Sequence, residues 1–379
     1  MEICLFTPTF LPKLGGTEVV TDALARGFLA QGDSPVVLAQ GEPEELDVPY
    51  RVCWYRKPRG LQWFPERTAK ALARLHETEK FDLFCVNYGH PTGYGAVRLG
   101  EKLGVPVVVV SHGGDLYRTT KDRHRPHIWK RIVHAYSHAD ALIAISPYIE
   151  QLIREICPSP PNLRYIPNGI ELGAFRIPTT RPADFPGERP FVLCLGNLNE
   201  LKGFDDAIAA YGMARTQPGL ADTQLVVVGD GPLDAELRSQ AAALGLADHV
   251  WFAGRRTGND KLWFLQNCQF GLMPSIEEGH PIVGLEFLAC GKPIVCTTNR
   301  AFDHMYDDGI NSFRVEPKDR AALAAALIRM AGSDRGAMGA CCLERSAGYT
   351  WTQIATRYLD FFREIVASST ASSAERVLL

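Results

Sequence analysis

The sequence predicts an α/β protein built from two doubly wound parallel sheets. Short β-branched runs alternate with amphipathic helical patterns almost from end to end, as expected for strands joined by crossover helices. The chain has 379 residues, of which 46% are hydrophobic, which is long for one core and suits two. Residues 176–190 are rich in proline, carry little apolar periodicity and read as a linker. The expected division is therefore a first domain over 1–175, the linker over 176–190, a second domain over 191–351 and a closing helical segment over 352–379.

In the first domain, strands are expected at 3–6, 36–38, 83–86, 107–110, 141–145 and 164–166. The helix after the first of them opens at Gly15-Gly16 and carries Val20, Ala23, Leu24 and Phe28 at helical spacing. In the second domain the runs are clearer, at 191–195, 225–228, 249–252, 270–273 and 294–296. Residues 352–367 place Ile354, Tyr358, Phe361, Phe362 and Ile365 on one helical stripe, and the Ser/Ala-rich stretch 368–375 is expected to fray.

A formal charge of −3 argues against a general nucleic-acid binder, whose footprint is a strongly basic domain. The halves differ modestly, with 23 basic against 21 acidic residues over 1–189 and 17 against 22 over 190–379. Ten cysteines include no Cys-x-x-Cys pair; Cys85, Cys194 and Cys296 lie in apolar runs and read as reduced core residues. The vicinal Cys341-Cys342 pair lacks accompanying ligands, so no metal site is expected. The first residues carry Glu2 where a secretory signal would be positive, and no apolar segment has the length of a membrane span. The expectation is a cytoplasmic protein, at most peripheral on the inner face of a membrane.

Several motifs fall at strand ends, where open α/β sheets bind ligands. Gly15-Gly16-Thr17-Glu18 opens the first helix, where free amides and the helix dipole favour an anion, although alone it fits a simple turn equally well. Ser111-His112-Gly113-Gly114-Asp115 follows the valine strand directly, with Tyr117 two residues on. Asn168-Gly169 is a turn dipeptide after the first domain's last strand. In the second domain, Asn197 and Lys202-Gly203 follow the first strand, and Lys202 stands near a helix N-terminus, the wrong end for a cation unless an anion shares the site. Gly229-Asp230-Gly231-Pro232 and Gly254-Arg255 follow the next two strands. Finally, Glu278-Gly279-His280-Pro281-Ile282-Val283-Gly284-Leu285-Glu286 sets two carboxylates eight positions apart across a turn into a helix, with Pro281 suited to the helix start. Such a spacing alone also fits a solvated helix edge.

Taken together and in this order, the motifs resemble those of retaining glycosyltransferases of family 4 with the GT-B fold, and the match runs over nearly the whole chain. That resemblance implies two Rossmann-like domains facing across a cleft, with the C-terminal helix crossing back to the first. It implies transfer of a sugar from a nucleoside diphosphate sugar, UDP first and GDP next, to a hydroxyl acceptor, with no cofactor beyond that co-substrate and no metal. By resemblance the catalytic group is His112, Lys202 and Glu278. The donor would meet Gly15, Gly16, Thr17, Asn197, Lys202, Gly231, Arg255, Glu278, Gly279, His280, Ile282, Val283 and Glu286, with Glu286 on the ribose. Asp115, Tyr117 and Asn168 would stand on the acceptor side.

Two departures matter. Asn197 occupies the family's arginine position, so a neutral amide replaces a bidentate cation, for which Arg255 or Arg256 is a candidate substitute. His280-Pro281 replaces the usual Phe-Gly, adding a titratable group and removing a backbone donor. These departures keep open a catalytically silent nucleotide-sugar-binding subunit, beside a sugar-nucleotide 2-epimerase and a sugar phosphorylase. Two basic stretches remain. Residues 50–74 hold Arg51, Arg56, Lys57, Arg59, Arg67, Lys70 and Arg74 among Trp54, Tyr55, Trp63 and Phe64; residues 118–131 hold Arg118, Lys121, Arg123, Arg125, Lys130 and Arg131 with Trp129. Both suit a solvated face or an anionic membrane surface.

Overall fold

The computed structural model describes residues 1–13, 15–56 and 65–377, with side chains described except at 65–67 and 371–377. The chain divides into two compact units, Met1–Gly169 with Trp351–Leu379, and Ile170–Thr350.

The first unit runs β1 (Glu2–Thr7), α1 (Gly16–Ala30), β2 (Ser34–Gln40), β3 (Arg51–Tyr55), α2 (Pro65–Glu79), β4 (Leu83–Asn87), α3 (Tyr94–Leu103), β5 (Val107–Ser111), α4 (Pro126–His138), β6 (Ala141–Ala144), α5 (Pro147–Ile156) and β7 (Leu163–Tyr165). The second runs β8 (Phe191–Leu195), α6 (Phe204–Ala214), β9 (Gln224–Val228), α7 (Asp234–Ala243), β10 (Val250–Gly254), α8 (Gly258–Asn267), β11 (Phe270–Met273), α9 (Ile282–Ala289), β12 (Ile294–Thr297), β13 (Ser312–Val315), α10 (Arg320–Ala331) and α11 (Arg335–Ser346). Helix α12 (Trp351–Val377) closes the chain.

Both sheets are parallel, in the order β3-β2-β1-β4-β5-β6-β7 and β10-β9-β8-β11-β12-β13. In each, the order reverses beside the first strand of the unit, β1 against β4 and β8 against β11. The central strands are covered on both faces, which is why β5 reads as uninterrupted valine and is buried throughout. Sequence patterning misses β3 and β13. The first is an edge strand whose Arg51-Val52-Cys53-Trp54-Tyr55 lies in a basic stretch, and the second is short and only half buried.

Helix α12 belongs to the first unit, where Phe28 of α1 meets Phe362 edge-on at 5.8 Å and Tyr358 at 6.3 Å. It extends ten residues beyond the expected Ala367, through the stretch read as frayed. The expected linker also needs correction. The units divide at Gly169/Ile170, and residues 176–190 belong to the second unit. Phe185 is buried among Phe191, Trp251, Trp263 and Phe264 with ring centroids 5.0–5.4 Å away. Thr179 donates to Gln266 at 2.7 Å, and Asn259 holds both ends of Thr180. The proline-rich segment is therefore part of the second unit rather than a connection between the units. Replacing Phe185 by Ala is expected to destabilise the second unit by about 3–5 kcal/mol, as for other buried aromatics. A urea midpoint shift of that size in its transition supports the packed role, and an unchanged midpoint contradicts it.

Candidate functional site

In a doubly wound sheet the crevice opens beyond the carboxyl ends of the strands where their order reverses. In the second unit this is the edge of β8 and β11, and four loops meet there. The loop after β9 lies against the loop after β8: Leu198 N–H donates to Asp230 O at 2.8 Å and Leu233 N–H to Leu198 O at 3.1 Å. Gly231 is required at that contact, since a Cβ there would lie 2.4 Å from Leu198 O and 2.8 Å from Asn197 Oδ1. The loop after β11 joins through Ile276 N–H to Leu201 O at 2.8 Å.

These loops bring the two glutamates beside two lysines. Glu278 is buried, and its Oε1 accepts from Lys202 Nζ at 2.5 Å and from Ser275 Oγ at 2.9 Å. Glu286 lies inside α9, and its Oε1 accepts from Lys261 Nζ at 2.5 Å. Its other oxygen, Oε2, is buried without a hydrogen-bond partner. Burial pushes the Glu286 carboxyl above the ordinary carboxylate range, and the Lys261 ammonium counters that in part. Both lysines are about 70% covered rather than enclosed, so each ammonium keeps donors for a ligand.

Lys261 was not singled out from the sequence, yet the signal was there. It sits in the first turn of α8, where the helix dipole disfavours a cation, the same anomaly that marks Lys202. Of the two expected substitutes for the arginine, Arg256 is firmly engaged elsewhere and Arg255 only loosely. Arg256 holds Asp184, Asp260 and Ala253 O, while the exposed Arg255 stands 3.9 Å from Asp230. Asn197 is exposed beside Gly231. Pro281 precedes the helix as its cap, and α9 begins at Ile282 and Val283, both half-buried. Gly279 and His280 are buried. The His280 ring lies 5.9 Å from Tyr349, and burial lowers its pKa to about 3, so it stays neutral rather than titrating near physiological pH.

In the first unit the corresponding edge lies beyond β1 and β4. Helix α1 starts at Gly16 with Gly15 as an uncapped extended residue, and the buried Glu18 carboxylate folds back against Gly15. Thr17 Oγ1 and Tyr88 Oη share a hydrogen at 2.5 Å, Asn87 donates to Thr21 at 2.9 Å, and His112 Nε2 meets Asn87 Oδ1 at 2.9 Å. With Asn87 in that orientation its carbonyl accepts, so His112 carries the proton on Nε2. Burial drops its pKa to about 4. Gly113 has φ +99°, and a Cβ there would strike the Tyr117 ring at 2.3 Å. Asn87 and Tyr88 were missed, although Asn87-Tyr88-Gly89 ends a predicted strand at the reversal point.

Asp115, expected on the acceptor side, is buried and turned inward. It accepts from Gly89 N–H at 2.7 Å and Tyr136 Oη at 3.2 Å, and burial raises its pKa to about 6 despite both bonds. Its visible work is to hold the loop after β4. Tyr117 reaches His112 O at 3.5 Å, and Asn168 is buried at the end of the unit's first segment.

Much of the basic charge is paired: Arg51 with Glu79, Arg56 with Glu42, Arg118 with Glu155, Arg125 with Asp122. Arg123 binds Leu116 O and stacks on Trp129 at 4.7 Å. Trp54, Tyr55, Arg56, Lys70 and Arg74 line an open hollow of about 670 Å³. Lys57, Arg59, Trp63 and Phe64 lie outside the described residues, as does the side chain of Arg67. The ten cysteines are free. Among the described residues no helix is long and apolar enough to cross a membrane, and no cluster of three or more His, Cys, Asp or Glu could hold a metal.

Residues 14–173 match the family described as Glycosyltransferase Family 4, and residues 189–333 match Glycosyl transferases group 1. The chain belongs to the family 4, group 1 glycosyltransferases. An uncharacterised glycosyltransferase of Methanocaldococcus jannaschii is 24% identical over 78% of this chain and 79% of its own length. The D-inositol 3-phosphate glycosyltransferase of Salinispora tropica is 28% identical over 70% of this chain and 61% of its own. A GDP-mannose-dependent alpha-(1-6)-phosphatidylinositol monomannoside mannosyltransferase of Mycobacterium tuberculosis is 29% identical over 59% and 62%. The matches thus span less than two thirds of the latter two relatives. Sucrose-phosphate synthase of Thermosynechococcus elongatus has the same fold, with TM-score 0.78, 21% identity and coverage of 97% of this chain and 99% of that one. So does Anabaena HepE in complex with UDP, at 0.76, 16%, 96% and 100%. This glycosyltransferase therefore has the GT-B fold of two Rossmann-like units.

The buried histidine of the family's first unit gives a stability signature. Unfolded, His112 takes up a proton near pH 6.5; folded, near 4. Its contribution is present above about 6.5 and lost as pH falls towards 4, a loss on the order of 3 kcal/mol. Asp115 opposes this between pH 6 and 3.8. Replacing His112 by Asn should make the fall in unfolding free energy from pH 6.5 to 4 visibly shallower. An unchanged pH slope means the histidine is not held neutral.

Proposed function

We propose that this glycosyltransferase is a retaining enzyme that transfers a sugar from a nucleoside diphosphate sugar to a hydroxyl acceptor. The observation that carries the reading is the two lysine–glutamate pairs at the strand-end edge of the second unit, Lys202 with Glu278 and Lys261 with Glu286. Buried carboxylates suit sugar and ribose hydroxyls, and the covered Lys202 ammonium suits a diphosphate. In this reading Glu286 takes the ribose and Glu278 the donor sugar. Lys202 shifts from Glu278 onto the diphosphate as the bond from the anomeric carbon to the phosphate oxygen breaks. The acceptor oxygen forms its bond on the same face, and its proton passes to the departing phosphate. Stabilising that leaving charge is the main catalytic term, and Lys202 supplies it without a metal.

A UDP-sugar is the favoured donor, supported by the UDP and UDP-glucose complexes of HepE, and a GDP-sugar comes next, supported by the GDP-mannose-dependent relative. Gly231, Asn197 and Arg255 are assigned to the nucleotide, and Gly279, Ile282 and Val283 to the sugar side. Gly15, Gly16 and Thr17 are assigned to the diphosphate. The first unit is assigned the acceptor, with His112 as a neutral hydrogen-bonding group and Tyr117 and Asn168 near it. Relatives acting on inositol phosphate and phosphatidylinositol support a glycoconjugate acceptor. The basic, aromatic hollow at Trp54, Lys70 and Arg74 suits an anionic membrane surface. One observation favours a second reading, a catalytically silent sugar-nucleotide-binding subunit: the exposed Asn197 amide where the family has arginine.

Thermal shift against UDP-, GDP-, ADP- and dTDP-sugars identifies the donor, because a ligand raises apparent stability by mass action. With that donor and a chelator present, the protein should hydrolyse it slowly and release the sugar with its anomeric configuration kept. Lys202→Ala should cut turnover about 100-fold or more, in line with loss of a transition-state cation. Binding without any turnover selects the silent subunit, and turnover unaffected by Lys202→Ala refutes the assignment.

A further inference from the structure

The pair between Lys261 and Glu286 is built differently from that between Lys202 and Glu278. Glu278 directs Oε1 to two donors, Lys202 and Ser275. Glu286 spends only Oε1, on Lys261, and leaves Oε2 buried with no donor at all. An unsatisfied carboxylate oxygen in a buried setting is rare in a finished fold and calls for a partner. Lys261 has the complementary surplus: its ammonium has three donors, of which Glu286 takes one, and its side chain is 30% exposed. Side by side, the pair holds one unpartnered acceptor and one ammonium with donors to spare.

A vicinal diol meets that arrangement with one hydroxyl donating to Oε2 and its neighbour accepting from Nζ. A lone glutamate would instead accept from both hydroxyls and read each only as a donor. We propose that Lys261 is a specificity-determining residue that reads one hydroxyl of the donor's ribose as an acceptor, while Glu286 Oε2 reads the other as a donor. This rests on the donor-site reading above, and it adds a residue and a polarity to it. The placement of Lys261 supports a ligand-directed role, since the first turn of α8 is unfavourable ground for a cation.

The test uses the full chain and three probes, UDP, 2′-deoxy-UDP and 3′-deoxy-UDP, or the GDP series if GDP binds more tightly. Calorimetry on the wild type should show each deoxy probe at least 10-fold weaker than the parent, as expected when a site built to hydrogen-bond a hydroxyl loses it. In Lys261→Met, one of the two discriminations should collapse to within about 3-fold while the other persists. Should that variant fail to fold, Lys261→Leu, likewise without a donor and shorter, carries the same test. If all three probes weaken by the same factor, Lys261 acts only by holding Glu286, and the proposal is overturned while the donor site stands. If the wild type binds no nucleoside diphosphate, the donor-site reading fails and this one with it.

Discussion

The constraint on which the rest of this molecule depends is the reversal of strand order in a parallel sheet. Beside β1 and β4 in one unit, and β8 and β11 in the other, consecutive crossovers run to opposite sides, so the loops leaving the strand ends diverge and leave their backbone groups accessible. Residues far apart in sequence then share one edge. Lys202 follows β8, Glu278 follows β11 and Lys261 follows β10, and none of these would meet the others under a different strand order. Thr17, Asn87, Tyr88 and His112 are gathered in the same way after β1, β4 and β5.

What that edge holds is charge in arrangements that folding alone would not select. Lys202 stands just before the N-terminus of α6 and Lys261 in the first turn of α8, where helix dipoles oppose them, and Glu278 and Glu286 are buried carboxylates. Each pair compensates its own desolvation, but a hydrophobic pair of similar size would serve stability at least as well. The first unit differs in kind. Its edge is neutral and hydrogen-bonded, with His112 held uncharged through Asn87 and with Asp115 turned into the support of the neighbouring loop. The second unit's edge thus carries paired charge, and the first unit's edge a neutral hydrogen-bonded set.

Most of the architecture was legible because buried parallel strands are apolar on both faces and stand out as runs. Edge strands escape that signal, and β3 was hidden inside a basic stretch for this reason. The prolines of 176–190 suggested a linker, but a single buried aromatic, Phe185, decides its affiliation, and no local pattern announces where one ring will pack. The glutamates and Lys202 stood out because their spacing and position are unusual, and Lys202 does meet Glu278. Asp115 was placed on the acceptor side from its strand-end position, but sequence says nothing of side-chain direction, and the carboxylate turns to Gly89 and Tyr136. Lys261 went unnoticed although it shares the dipole anomaly of Lys202, because no motif flanks it, and Asn87 because its partners Thr21 and His112 lie far off in the chain.

The central claim, that the strand-end edge of the second unit binds the nucleotide, is tested most directly by amide hydrogen exchange on the full chain with and without UDP or GDP. The account predicts slowed exchange in the loops at 196–203, 229–231, 254–261 and 275–286, where the lysine–glutamate pairs sit. Slowed exchange confined to the hollow beside β3, or to any segment away from those loops, would contradict it.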